Sequence, residues 1–121
     1  MSTAPLKELH DAPFRAAYHL VVDADEVRIA RRALQDLITN QAHEWEIRRL
    51  ARSVLERLLP GLQGKSVLRV PLSAEEMKIS HTAIKLALDD TRREQSSERM
   101  ILRELLKKLP DEHAIRAIRL L

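Results

Sequence analysis

One segment of this chain is written twice. Residues Asp23–Pro60 and Ser73–Pro110, laid over each other at an offset of 50 without a gap, match at nine of 38 positions. Ala24/Ala74, Glu26/Glu76, Ile29/Ile79, Ala33/Ala83, Leu59/Leu109 and Pro60/Pro110 are among them, and conservative pairs such as Asp25/Glu75, Val27/Met77 and Leu34/Ile84 lie between. A unit repeated at a fixed spacing buries its apolar face against its own copy, so a tandem arrangement is the first expectation.

Both copies open with the same helix-starting device. Asp23 is followed three residues later by Glu26, and Ser73 by Glu76, the spacing of a capping box. Val27, Ala30, Leu34, Leu37 and Ile38 then recur at helical spacing, as do Met77, Ser80, Ile84, Ala87 and Leu88 in the copy. A polar interval follows, Thr39–Glu46 in the first copy and Asp89–Ser97 in the second. Beyond it runs a second stripe, Ile47, Leu50, Ala51, Val54, Leu55 and Leu58, answered by Ile101, Leu102, Leu105, Leu106 and Leu109. The second stripes align better at an offset of 51, which implies one extra residue in the second polar interval. Neither interval contains Gly or Pro, so one long helix per copy is an open alternative. The change of stripe phase, the turn-forming Asn40, Asp89-Asp90 and Ser96-Ser97, and the usual length of helices favour a helical hairpin.

The flanks repeat too. Tyr18–Val22 and Val67–Leu72 read as short β-strands, with Leu20 and Val22 falling opposite Val70 and Leu72 at the same offset. Pro71 restricts the second strand to an edge or an end. Asp111 can cap a last helix with Ile115, Ile118 and Leu121 inward, although Ala117–Leu120 could instead form a third strand. The expected fold is therefore mainly α. It is a pseudo-twofold tandem repeat of a strand-helix-helix unit with a four-helix core, a two-stranded ribbon and a short C-terminal helix. Residues 1–121 form a single domain on this reading: an N-terminal arm and strand at 1–22, repeat helices at 23–60, a linker and strand at 61–72, repeat helices at 73–110, and the last helix at 111–121.

Composition agrees with helix over sheet: two glycines and one each of Trp, Tyr and Phe leave a core of Leu, Ile, Val and Ala. The chain has no cysteine, which excludes disulfides and thiol chemistry. No apolar run approaches the roughly 18 residues that cross a bilayer, so a cytoplasmic protein with no membrane contact is expected. The net charge of +3 is thinly spread. Repeat 1 carries seven basic and seven acidic residues and repeat 2 eight and seven, the mixture of solvated helix faces rather than a phosphate-binding stripe.

Catalytic motifs are not found. His43-Glu44-Trp45-Glu46-Ile47 begins like a zinc-protease helix but has Ile47 where the second histidine ligand must stand. The five histidines sit one per element, without i, i+3 or i, i+4 pairs, and read as solvated or singly hydrogen-bonded. The acidic pairs Asp25-Glu26, Glu75-Glu76 and Asp111-Glu112 stand at helix N-termini, where negative charge is favoured. Gly61–Ser66 ends in Gly-Lys-Ser but lacks the spacing and the flanking elements of a phosphate loop. The expectation is a non-enzyme with no cofactor and no bound metal.

Two binding readings follow. Trp45 lies in the first polar interval, where the copy has Gln95, and could anchor a protein partner or pack over its own hairpin. A strand followed by two helices, paired across a twofold, resembles the layout of ribbon-helix-helix DNA-binding proteins. That resemblance implies a ribbon in the major groove, with His19, Lys65 and Arg69 as nucleic-acid contacts. The chain departs from the pattern in its outward set His19, Val21, Arg69 and Pro71, which is poor for reading bases. Its first helix is also longer than the pattern and lacks a glycine turn. A helical protein-interaction or regulatory module, with a protein partner or self-association, is the primary expectation; DNA binding is the alternative.

Overall fold

The computed structural model describes residues 15–41, 44–62 and 67–118. Strand β1 (Tyr18–Val22) pairs antiparallel with β2 (Leu68–Leu72), in the register Tyr18↔Leu72, His19↔Pro71, Leu20↔Val70, Val21↔Arg69 and Val22↔Leu68. Alternation along each strand sends Leu20, Val22, Val70 and Leu72 into the core and His19, Val21 and Arg69 to solvent. Pro71 lies in a ribbon in which both strands are edges, so its missing N–H disrupts no central ladder.

Helix α1 (Ala24–Asp36) starts immediately after β1. The Asp23 carboxylate accepts the Glu26 N–H at 2.8 Å, and Glu26 Oε1 accepts the Asp23 N–H at 3.0 Å. A π-helical turn, Leu37–Gln41, widens the end of the helix. Helix α2 (Trp45–Leu58) follows as a separate element and closes in a 3-10 turn, Leu59–Leu62. After β2, helix α3 (Ala74–Asp90) begins with the reciprocal pair Ser73–Glu76, at 3.1 and 2.9 Å. Helix α4 (Ser96–Lys108) comes next, and α5 (Glu112–Arg116) is capped by the Asp111 carboxylate accepting from Ala114 N–H at 2.9 Å. Ala117 and Ile118 continue as turn and coil; Leu121 and the rest of the alternative third strand lie outside the described residues.

Two successive helices, not one long helix, thus follow each strand. α1 and α3 pack on each other at the centre, and Val27, Ala30, Ala33 and Leu34 of the one and Met77, Ile79, Ala83 and Ile84 of the other are buried. α2 lies against α3, and α4 against α1 as well as α3. Ala51, Val54 and Leu58 on α2 are buried, as are Leu102, Leu105 and Leu109, each 51 residues further on. Each such aliphatic side chain contributes about 1.5–3 kcal/mol when fully buried, so these rows hold the layer on the ribbon.

Gly61, expected to begin a linker, is instead buried in the 3-10 turn. A Cβ there would stand 2.6 Å from Val27 Cγ2 and 3.0 Å from Leu68 Cδ2, so glycine permits the turn to close onto α1.

Candidate interaction surfaces

The ribbon offers one exposed face. The register sets His19 opposite Pro71 and Val21 opposite Arg69, so the two outward candidates His19 and Arg69 sit diagonally on one surface. Val21 is 45% exposed and Val67, just before β2, is 61% exposed. Position by position, the outward side chains Ala17, His19, Val21, Val67, Arg69 and Pro71 include no carboxylate. The face is apolar with a basic tint. Lys65, the third residue of the nucleic-acid reading, lies outside the described residues, as does His43.

Trp45 is not part of this face. It opens α2, whose other end leads into the turn before β2, so a helix about 20 Å long separates it from the ribbon. Its ring is 64% exposed, with the Arg49 guanidinium 5.6 Å from the ring centroid. Glu46 accepts from Arg49 at 2.9 Å and holds that guanidinium more firmly protonated. The alternative in which Trp45 packs over its own hairpin does not fit this exposure.

The two capping glutamates are the buried charges of the fold. Glu76 is 3% exposed, and its Oε2 accepts from Ser53 Oγ at 2.6 Å and from Arg57 Nε at 2.9 Å, both on α2. Glu26 is 6% exposed and accepts from Lys108 Nζ of α4 at 2.6 Å. Lys108 Nζ also donates to the Val21 carbonyl at 3.0 Å, and Tyr18 Oη donates to the Lys108 carbonyl. These carboxylates are occupied by caps and cations, which is structural work. The sequence identified the caps but not their cross-links, which join residues 19 and 82 positions apart.

Two concave regions lie elsewhere. A groove of about 150 Å³ runs between α1, α3 and α4 over an alanine-rich floor that includes Ala33, Ala83 and Ala87. Arg32 and Glu98 bridge its rim at 3.2 Å. A cleft between α3 and α5 contains His81, which of the two expected states, solvated or singly hydrogen-bonded, is not the solvated one, being only 8% exposed. Burial, and secondarily the Lys85 charge, push its imidazole below the ordinary histidine value, while Glu112 opposes them. A hydrogen bond from Lys85 in turn holds the Glu112 carboxyl below its usual range. Among the described residues no three His, Cys, Asp or Glu side chains are grouped to hold a metal ion, and no helix is long and apolar enough to cross a membrane.

Comparison of the chain with protein-family models, with curated proteins and with solved structures finds no match.

Proposed function

We propose that the chain is a non-enzymatic interaction module: two strand-helix-helix units related by a pseudo-twofold axis, presenting the outer face of their shared ribbon to a protein partner. The pseudo-twofold reading is supported by the register. Moving Tyr18 forward by 50 and Leu72 back by 50 converts their pair into Leu68↔Val22, itself a pair of the same ribbon. The buried ion pairs support it as well. Arg57 reaches Glu76, and the positions matching them at 51 and 50 residues' distance, Lys108 and Glu26, are also joined.

The observation that carries the interaction reading is the exposed pair Val21 and Val67 on a face without carboxylates, since solvent-facing ribbon positions are otherwise the place for polar side chains. The test is the mass in solution and the proteins cross-linked to the chain in its native cell, for the wild type and for Val21→Asp/Val67→Asp. The reading requires an associated protein or second copy that the double variant loses while its unfolding midpoint stays close to wild type. Association that survives the double variant unchanged would overturn it.

The element order favours a second reading, DNA binding in the manner of ribbon-helix-helix proteins, through His19 and Arg69. It demands a duplex gel shift that weakens steeply with salt and falls in Arg69→Ala.

A further inference from the structure

We propose that α5 is an acid-released clasp: it closes over the buried His81 of α3, and a proton on that imidazole frees it. Three contacts hold α5 and the coil after it in place. Ile115 is buried at 4% exposure, Lys85 pairs with Glu112, and Lys78 Nζ donates to the Ile118 carbonyl. Both lysines flank His81 on its own helix, three residues before and four after, so all stand on one face.

The charges facing His81 in the cleft come from α3 and α5. Lys78, Lys85 and Asp89 belong to the first and Glu112 and Arg116 to the second; no charged residue of α1, α2, α4 or β2 lines it. With His81 neutral, among the described residues three cations face two carboxylates. Protonation makes it four against two along an open cleft of about 290 Å³. The direction follows from the imidazole's lowered proton affinity when α5 is docked. The undocked form takes up its proton first as pH falls through the ordinary histidine value near 6.5, so docking is complete above that value and weakens below it. A helix of five residues does not persist alone, so release is also melting. What release uncovers is the seat of Ile115 beside Leu86.

The test is an NMR titration of the full chain from about pH 7.5 to about pH 5, a range that brackets histidine. It follows the His81 imidazole together with the amides of Ala114, Ile115 and Arg116. The expected result is that these amides move toward random-coil positions in step with proton uptake at His81, and that in His81→Asn they stay in place over the same range. Amides that do not move while His81 protonates, or that move equally in His81→Asn, would overturn the proposal. Should His81→Asn not fold, His81→Gln serves instead: the same amides must stay in place over the same range, and amides that move in it as in the wild type also overturn the proposal.

Discussion

Glu76 shows how much one side chain can hold. It completes a helix cap, receives a hydroxyl and binds a guanidinium, all at 3% exposure. Glu76→Ala removes a buried carboxylate partner from Arg57 and opens the cap, at an expected cost of about 3 kcal/mol in urea unfolding. Glu26→Ala is expected to cost less, about 1–2 kcal/mol, because the Lys108 side chain is 38% exposed and water can replace its partner. Equal losses in the two variants would show that burial of the cation does not set the difference. Gly61 depends on geometry in place of charge. Gly61→Ala drives a methyl into Val27, and a loss of about 1–3 kcal/mol by the same assay is expected. At this scale the sequence was legible where the physics is local. The capping pairs Asp23/Glu26 and Ser73/Glu76 declare themselves by spacing. The need for glycine at position 61 arises from a side chain of α1 and could not be read from its neighbours in the chain. His81 was equally opaque, because one polar residue in an amphipathic stretch looks the same whether or not another helix later covers it.

Among the elements, the first helices and the second helices behave differently. α1 and α3 both carry a complete capping box, whereas Glu44 and Gln95, ahead of α2 and α4, make no side-chain cap bond. Helix initiation is thus written into α1 and α3, and α2 and α4 depend on packing through rows such as Ala51, Val54 and Leu58. Ser73→Ala should therefore destabilise the protein by about 1 kcal/mol, measured as a lowered denaturation midpoint with unchanged m-value, whereas Gln95→Ala should have little effect. The first helices differ in form: α1 is a 13-residue helix continued by a π turn, whereas α3 is an uninterrupted 17-residue helix. The stripes were visible in the sequence. The π turn was not, since nothing in Leu37–Gln41 marks it locally.

Over the whole molecule, the decisive arrangement is that α2 and α4 each lie against both α1 and α3. Residues far apart in sequence complete one another: Arg57 of α2 binds the cap of α3, Lys108 of α4 binds the cap of α1, and β1 pairs with β2. Unfolding should therefore be a single transition. Amide exchange in α1 and in α3 should report the same global free energy within about 0.5 kcal/mol, and a stable intermediate with one unit folded would contradict the interlocked arrangement. Periodicity made the helices and their apolar stripes legible, but the way the helices grip each other is a property of long-range contacts that no window of sequence contains. The reach of Lys108 back to Glu26 also bears on synthesis. A nascent polypeptide that has emerged only as far as α2 has a strand with no neighbour, a helix start lacking its cation and an apolar layer facing water. β2 and α3 supply the strand partner and the central apolar face, and the stretch ending at Lys108 then supplies the cation, so until these have left the ribosome the greasy surfaces of the first unit are expected to need protection.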